Sequence, residues 1–351
     1  MRHRELRLKK PAKRRPAPRS APPQPISRMT MADLARIAGV SKITISRALG
    51  EGDLVNAQTR ERIRALAAQH GYTLNVTARN LRLRRSQTVA VVVEMKPSAS
   101  RPLSGPYPLE ILGGISQELT TVGYSVLLTT RQAPVTPALQ AADGVILLGQ
   151  GAHDDAVHLL DRWRLPMVVW GARRAGDRHV VVGSDNREGG ALAAERFLAI
   201  GRRRAVFLGD LDHMEIAERY AGFRDAFAQH GLKTEVVRRE AFTMAAGAEA
   251  TQVLLARAKG ARIDAIFACN DLLAMGAIRA LLEHGARVPD DISVIGYDDT
   301  PLGASFIPPL SSIHQSWHDG GVLLARKLLQ QIDGKRPRSE TLPTSLIVRS
   351  T

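Results

Sequence analysis

The chain has 351 residues, which is enough for two or three folded domains. Of these residues, 44% are hydrophobic, which excludes general disorder. The formal net charge is +15 at pH 7. No run of about 18 uncharged apolar residues occurs, and the basic N-terminus lacks an apolar signal core, so a membrane-spanning helix and a secretory signal are excluded. A single cysteine, Cys269, rules out an internal disulfide and suits a reducing compartment, so we expect a cytoplasmic protein.

The positive charge is concentrated in the first quarter of the chain. Residues 1–86 carry 20 of the 49 Lys and Arg residues and 5 of the 34 Asp and Glu residues, and the remainder is balanced. Such asymmetry is typical of a polyanion-binding module joined to a neutral one, although a basic solubilising tail is the alternative. Residues 1–28 contain six prolines and ten Lys or Arg, which predicts a disordered basic extension.

The next segment, residues 29–74, predicts a helix-turn-helix domain. Thr30 and Ser41 are N-cap candidates for two helices of about eight residues each, and a third helix of about fourteen residues begins near Asn56. The inward face of the first helix is expected to hold Leu34, Ile37 and Ala38. A generic three-helix bundle is the alternative, but the tight turn and the local charge favour a helix-turn-helix unit.

Residues 87–351 predict a doubly wound α/β region. Apolar runs typical of buried parallel strands alternate with amphipathic helical stretches; these runs are residues 88–95, 124–130, 143–149, 166–171, 205–210, 264–270 and 292–299. Because this region is too long for one small sheet, we expect two similar lobes with a ligand crevice at the carboxyl ends of the strands. Residues 131–142 are short for a crossover connection, so a full helix there is doubtful.

Four motifs, in order along the chain, resemble those of the lactose-repressor/galactose-repressor (LacI/GalR) family of bacterial transcription regulators. They are MADLARIAGVSKITISRAL, VTARNLR, ACNDLLAMGAIRAL and DISVIGYDDT. The resemblance runs from Thr30 to the C-terminus. It implies a small all-α helix-turn-helix DNA-binding domain followed by a two-lobed α/β effector domain like that of periplasmic binding proteins, with doubly wound parallel sheets.

The resemblance places the second helix in the major groove of DNA. Lys42, Ile43 and Arg47 occupy base-reading positions of the family; Lys and Arg can donate to guanine, and Ile can pack on a thymine methyl group. Hydroxyl groups suit phosphate oxygens, which position a protein without specifying sequence. The hydroxyl residues expected near DNA are Thr30, Ser41, Thr44, Ser46 and Thr59. For Thr44 and Ser46, a solvated surface hydroxyl is the alternative.

Residues 75–86 resemble the family's hinge helix, which folds on operator DNA in the minor groove beside its dimer mate. Leu81 stands at the position of the leucine that wedges into a central base step, with an ordinary linker residue as the alternative. The predicted DNA contacts of this segment are Asn75, Ala78, Arg79 and Leu81. Its further arginines, Arg82, Arg84 and Arg85, would add counterion release and a steep salt dependence.

The resemblance also places Arg219, Asn270 and Asp298 at effector contacts. Asp185 lies at a crevice edge by the strand-end rule, and two aromatic residues near strand ends, Trp170 and Phe242, are candidates to stack on a sugar ring. Core packing is the alternative for Trp170, and an ion pair across the lobes is the alternative for Arg219 with Asp298. We expect a repressor of a carbohydrate-utilisation operon with a saccharide effector; a corepressor, or a purine or nucleoside ligand, remains open.

The partners expected are operator DNA, the small-molecule effector and a second copy of the chain. One helix-turn-helix module covers half an operator, so a homodimer on a pseudo-palindromic site is expected. A tetramer is not expected, because no leucine-heptad segment follows residues 345–351.

No enzyme, cofactor or metal is expected, because the chain has neither a Walker lysine motif nor a G-x-S-x-G elbow. The histidines and aspartate of HDDAVH (153–158) fit a solvated helix start better than a metal site. A solute-binding protein shares the two-lobed fold but would carry a signal peptide and no DNA module.

Overall fold

A computed structural model describes residues 29–50, 54–72, 85–94, 103–131, 136–151, 155–256 and 263–351. The chain forms two compact units, Met1–Arg79 and Asn80–Thr351. The predicted basic extension and most of the predicted hinge segment lie outside the described residues. None of the described helices is both long and apolar enough to cross a membrane.

The first unit contains the predicted helices, α1 (Met31–Ala38), α2 (Lys42–Leu49) and α3 (Ala57–Gln69). Both predicted N-caps are confirmed. The Thr30 hydroxyl accepts from the backbone N–H of Asp33, and the Ser41 hydroxyl accepts from that of Thr44 at 3.1 Å. Gly39 ends α1 with a φ of 66°, a left-handed conformation that costs glycine little.

The core of this unit is built from one face of each helix. Leu34, Ile45 and Ile63 are fully buried there. The expectation that Ile37 faces inward is wrong, because 43% of it is exposed. The buried stripe of α1 runs over Leu34, Ala35 and Ala38, and Ile37 lies beside that stripe, at the edge of the helix face.

The second unit begins with a lobe built on a six-stranded sheet in the order β11-β5-β4-β3-β1-β2, in which all strand pairs are parallel. Its strands are β1 (Thr88–Val93), β2 (Ser125–Thr130), β3 (Gly144–Leu148), β4 (Met167–Trp170), β5 (Val180–Ser184) and β11 (Glu340–Leu342). Its helices are α4 (Pro106–Thr121), α5 (Pro137–Gln140), α6 (Asp155–Asp161) and α12 (Trp317–Ile332). In the described part of the doubtful connection, residues 136–142, the helix present is the four-residue α5.

The central strands of this sheet are covered on both faces, as the unbroken apolar runs predicted. Along β1, Val89, Val91 and Val93 pack into one buried cluster with α4 and α12. Ala90 and Val92 point the other way, into a second cluster with α6. Successive side chains of a strand alternate between faces, so a strand with helices on both sides must be apolar throughout.

The second lobe has its own six-stranded sheet in the order β12-β10-β9-β8-β6-β7. Its strands are β6 (Ala205–Gly209), β7 (Glu235–Arg238), β8 (Ala265–Ala268), β9 (Ser293–Asp298), β10 (Ser311–His314) and β12 (Ser345–Ile347). Its helices are α7 (Asn186–Ala199), α8 (Met214–Gln229), α9 (Met244–Ala256), α10 (Asp271–Glu283) and α11 (Pro301–Ala304). The edge strand β12 runs antiparallel to β10, which the prediction of purely parallel sheets did not include.

The chain passes between the two lobes at three crossovers. The first follows β5 and leads into α7, and the second is Gln315–Ser316, between β10 and α12. The third is Pro343–Thr344, which separates β11 in one sheet from β12 in the other. The second crossover borders the cavity between the lobes, because Gln315 lines that cavity.

Candidate functional site

A cavity of about 270 Å³ lies between the lobes, where the strands of both sheets end. One water needs about 10–15 Å³, so the cavity is large enough for a small molecule. Glu94 follows β1, Gln150 follows β3, and Asn270 follows β8. This is the crevice that the strand-end rule predicted for two doubly wound sheets.

The second lobe contributes most of the charged and polar lining. We call Glu215, Arg219, Asn270, Asp298 and Gln315 the polar wall. Asn270 caps α10, and its carbonyl oxygen accepts from the backbone N–H of Leu273 at 2.9 Å. A ligand would therefore meet the amide group of Asn270 as a donor.

Arg219 is held rigidly at the back of the polar wall. Its Nε donates to Oδ1 of Asn186 at 2.9 Å, and its Nη1 donates to the carbonyl of Cys269 at 2.6 Å. The guanidinium also lies 3.6 Å from the centre of the Tyr297 ring, a cation–π contact. Gly190 and Gly222 allow α7 and α8 to cross closely enough to bring Arg219 to Asn186, because a Cβ at either position would meet the facing backbone.

Asp298 ends β9 with a φ of 107°, and Asp299 follows with a φ of 55°. Two consecutive non-glycine residues in the left-handed region are strained, a feature that concentrates at functional sites. Asp298 Oδ1 accepts from Nε2 of Gln315 at 2.7 Å and lies 4.0 Å from Nη1 of Arg219. Burial raises the pKa of Asp298 to about 8, although Arg219 opposes the shift.

The pairing of Arg219 with Asp298 occurs inside one lobe. Arg219 belongs to α8 and Asp298 to β9, both in the second lobe. The alternative of an ion pair across the lobes is therefore wrong. Two charged groups of one rigid lobe that face the cavity together form a fork suited to hydroxyl pairs.

A second buried carboxylate supports the turn after β9. Asp271 accepts from the backbone N–H and the hydroxyl of Thr300, at 2.7 and 2.9 Å, and from the hydroxyl of Ser312 at 2.6 Å. Burial raises the pKa of Asp271 to about 6, and these hydrogen bonds oppose the shift. Since Thr300 lies two residues after Asp298, this network fixes the strained turn.

The first lobe contributes large aromatic side chains. We call Tyr107, Trp170 and Trp317 the aromatic wall. The rings of Tyr107 and Trp317 meet edge to face at 5.6 Å. Trp170 is 6% exposed and packs over Gly320, where a Cβ would strike its ring, so it serves as a core residue and as cavity lining at once. Core packing of Trp170 is therefore confirmed, and stacking of its ring on a sugar stays a prediction.

The structure brings together five of the six predicted effector residues: Trp170, Arg219, Phe242, Asn270 and Asp298. Phe242 lies on the second lobe, with its ring 5.7 Å from that of His213. Asp185 is not among the described residues that line the cavity. It is exposed, and its carboxylate caps α7 by accepting from the backbone N–H of Glu188 at 3.0 Å.

Several cavity residues escaped the sequence analysis. The strand-end rule could have found Gln150, which directly follows the predicted run 143–149, and Glu94, which follows β1 but lay inside the longer predicted run 88–95. Nothing in the sequence signals Trp317 or Gln315, because they reach the cavity only through the second crossover. Glu94 also pairs with Arg131 at 2.9 Å.

In the first unit, α2 presents the residues that were predicted to read bases. Lys42, Ile43 and Arg47 are exposed. Ile43 is 61% exposed. Ser41 is exposed and serves as the N-cap, whereas Thr44, Ser46 and Thr59 are half-buried. Thr30 is exposed and forms a capping box with Asp33.

The predicted hinge contacts Asn75, Ala78, Arg79 and Leu81 lie outside the described residues. Arg85 lies within them, and its guanidinium donates to Asp333 at 3.0 Å. The Asp143 carboxylate accepts from the backbone N–H groups of Ser86 and Gln87 at 2.6 and 3.0 Å. These contacts fasten the start of the second unit to the first lobe.

A helix-turn-helix unit with an exposed second helix, joined to a two-lobed unit with a ligand-sized crevice, defines a ligand-regulated DNA-binding protein. Comparison with known proteins agrees. Residues 30–75 match the family described as bacterial regulatory proteins, lacI family, and residues 194–351 match a periplasmic binding protein-like domain. The chain is 33% identical to the HTH-type transcriptional regulator CelR of Thermobifida fusca, over 92% of this chain and 98% of that protein.

Solved structures show the same architecture. The lac repressor dimer bound to operator and the anti-inducer ONPF matches with a TM-score of 0.79 and 27% identity, over 92% of this chain and 98% of that chain. A complex of the transcriptional regulator CelR with cellobiose matches with a TM-score of 0.65 and 31% identity, over 92% and 99%. The chain belongs to the LacI family and is a DNA-binding transcriptional regulator, which confirms the family and the fold that the four motifs indicated.

Proposed function

We propose that this regulator is a homodimeric repressor that binds a pseudo-palindromic operator and is released from it by a saccharide. The observation that carries the proposal is the cavity between the polar wall and the aromatic wall. A sugar presents hydroxyl groups at its edges and C–H groups on its ring faces. The two walls supply the complements to both surfaces.

Two further facts support a saccharide. Only 4% of the residues are aromatic, yet Tyr107, Trp170, Phe242 and Trp317 all line this cavity. CelR, a protein similar over its whole length, has been solved with cellobiose bound. Release of a repressor from DNA by an inducer fits this class of ligand. The proposal includes no catalytic step.

On the DNA side, we propose that Lys42, Ile43 and Arg47 contact base edges, because they are the exposed groups of α2. The hydroxyls of Thr30, Ser41, Thr44, Ser46 and Thr59, together with Asn75, Ala78 and Arg79, would meet the backbone. Leu81 would wedge into a central step. Operator DNA lies in the bacterial cytoplasm, so a cytoplasmic location belongs to the same proposal.

The switch requires that the sugar bind the two lobe arrangements with different affinity, since equal affinity shifts no equilibrium. A coupling free energy of about 1–3 kcal/mol changes operator affinity by about 5–150-fold. One arrangement would hold the two copies of residues 75–86 close enough to fold on DNA, and the other would separate them.

The test is operator binding by the purified protein, with a fragment from the gene's own upstream region and a panel of glucose, galactose, cellobiose, gentiobiose, maltose and lactose. Trp170 and Trp317 line the cavity, so intrinsic fluorescence reports sugar binding separately. Specific binding that one sugar releases supports the proposal. Tighter binding with guanine or hypoxanthine would support a corepressor instead, and no salt-sensitive binding would overturn the assignment of α2.

The wedge is tested by Leu81→Ala. We expect a loss of operator affinity much larger than the loss on nonspecific DNA, because the wedge acts only in the specific, bent complex. Arg36→Ala is the control, since Arg36 is exposed and pairs with Asp33 within α1. An equal loss on both DNAs would contradict the wedge.

A further inference from the structure

Ser184 is the last residue of β5 and stands at the first crossover between the lobes. It is 6% exposed, and it is not among the described residues that line the cavity. Its side chain is nevertheless linked by hydrogen bonds to the polar wall. A buried polar group of this kind is costly unless it is paired, so its partners reveal its role.

The first link runs through Gln315 to Asp298. The Ser184 hydroxyl donates to Oε1 of Gln315 at 2.8 Å, and Nε2 of Gln315 donates to Asp298 at 2.7 Å. Gln315 is itself 5% exposed and forms the second crossover. One buried amide group thus connects a cavity carboxylate to both of the first two crossovers.

The second link runs through Asn186 to Arg219. Nδ2 of Asn186 donates to the carbonyl of Ser184 at 3.1 Å, and Oδ1 of Asn186 accepts from Nε of Arg219 at 2.9 Å. Asn186 is 2% exposed. Arg219 and Asp298 therefore reach the same residue, Ser184, through two different buried amide side chains.

The third crossover joins this arrangement. The backbone N–H of Asp185 donates to the carbonyl of Leu342 at 2.9 Å, and the Thr344 hydroxyl donates to the carbonyl of Asp185 at 3.2 Å. All three crossovers are thus hydrogen-bonded around Ser184 and its neighbour. Any change of lobe arrangement must turn the backbone at these points, so a group that binds there biases the arrangement.

From this geometry we propose that Ser184 is a positioning residue that couples effector occupancy at Asp298 and Arg219 to the arrangement of the lobes. The inference rests on the proposed function and adds the residue through which it operates. A sugar hydroxyl that donates to Asp298 competes with Nε2 of Gln315, and the Ser184 hydroxyl transmits that competition to the crossovers. Ser184 itself has no contact with the ligand.

The experiment separates sugar binding from sugar response. Wild type, Ser184→Ala and Thr251→Val are compared as full chains for affinity to cellobiose and the other sugars of the panel, by tryptophan fluorescence. Operator affinity is then measured with and without saturating sugar. Thr251 is the matched control, because it is fully buried and its hydroxyl donates only within its own helix, to Gly247 at 2.9 Å.

We expect Ser184→Ala to bind the sugar within about threefold of wild type, because the cavity lining is unchanged. Its ratio of operator affinities without and with sugar should fall at least about fivefold, which is a measurable part of typical coupling. Thr251→Val should keep the full ratio. Coupling claims require this kind of measurement, since spatial proximity alone does not establish them.

Three results would overturn the proposal. An unchanged ratio in Ser184→Ala, with a responsive wild type, removes Ser184 from the coupling and leaves the repressor function intact. An equal fall of the ratio in Thr251→Val shows a general loss of stability. A wild-type protein that no sugar of the panel releases overturns the saccharide function and this inference together.

Gln315→Met provides a second variant if Ser184→Ala fails to melt cooperatively. It keeps the length of the side chain and removes both hydrogen bonds of the link. We expect it to lose the same coupling. Its sugar affinity is measured separately, because Gln315 also lines the cavity. A Gln315→Met protein with the wild-type ratio of operator affinities would contradict the link equally well.

Discussion

The two walls of the cavity differ in how their side chains are held. In the polar wall, Arg219 and Asp298 are both fixed by hydrogen bonds to other buried side chains. In the aromatic wall, Trp170 and Trp317 are fixed by packing, since both belong to the hydrophobic cluster beneath the first sheet. Hydrogen-bonded groups have one correct geometry, whereas packed rings accept any apolar face.

This difference indicates which wall contributes affinity for a sugar and which contributes specificity among sugars. A site that pairs with hydroxyl groups rejects a ligand that leaves those groups unpaired by large factors, whereas an apolar surface discriminates weakly. We therefore expect the second lobe to choose among sugars and the first lobe to strengthen the binding of all of them.

The largest effect is expected from Asp298→Ala. The substitution removes the cavity carboxylate and the contacts that Arg219 and Gln315 make with it, so sugar affinity should fall more than about 100-fold. Operator binding without sugar should be retained. Asp212→Ala is the control, because Asp212 forms an exposed pair with Arg238 in the same lobe. A variant that still responds to sugar places the ligand elsewhere.

Trp170→Ala should weaken binding by about tenfold through loss of ring contact. The loss should be equal for cellobiose and lactose, which differ in the orientation of a single hydroxyl group. Fluorescence from the remaining cavity tryptophan, Trp317, can follow both titrations. A change in the ratio of the two affinities would show that the aromatic wall contributes to specificity and would break the comparison.

Sugar affinity should depend on pH through Asp298. Its pKa is raised to about 8 in the folded protein, so the ionised fraction grows about tenfold between pH 7 and pH 9. A ligand that binds the carboxylate should therefore bind more tightly as pH rises and be lost as pH falls through 8. Asp298→Asn should flatten the profile, and a wild-type profile that is already flat over this range would contradict the carboxylate contact.

The raised pKa of Asp298 also makes the stability of the protein depend on pH, and in the opposite direction to sugar affinity. A carboxyl with a raised pKa binds a proton more readily in the folded protein than in the unfolded chain. The free energy of unfolding should consequently decrease as pH rises from about 4 to 8. Asp271, with a pKa raised to about 6, adds to this trend over the lower part of the range.

The smallest effect is expected from Gly320→Ala. A Cβ at this position meets the Trp170 ring, so the ring must shift toward the cavity. Overpacking of this kind costs about 1–3 kcal/mol of stability, and we expect a fall of about threefold in sugar affinity, measured by calorimetry.

Gly334→Ala is not a suitable control for Gly320→Ala, because Gly334 has a φ of 79°. Gly113→Ala is better, since a Cβ there meets open space.

Much of the fold was predictable because its signals are local. Continuous apolar runs located the central strands, and caps such as Thr30 and Ser41 fixed the starts of the first helices. Two of the strands that were missed, β7 and β11, lie at the edges of the sheets, whereas β5 is buried throughout and its apolar residues could have marked it. One of them, β7 (Glu235–Arg238), is exposed or half-buried at most positions, so it lacks the apolar signature.

The site was only partly predictable because it is assembled by topology. Arg219, Asn270 and Asp298 sit in recognisable motifs, whereas Trp317 and Gln315 follow a crossover that no sequence pattern marks. Asp185 shows the complementary error. The strand-end rule located it correctly at the end of β5, but the chain crosses to the other lobe there and the carboxylate turns to cap α7.

The third crossover limits how the two lobes can move. Only Pro343 and Thr344 separate β11 in the first sheet from β12 in the second, and two extended residues span at most about 7 Å. With such a short tether, the sheet edges cannot draw apart without breaking strand pairs. The mouth of the cavity can therefore widen only by rotation about an axis close to this tether, so a small angular change beside Pro343 becomes a large displacement at the far end of each lobe.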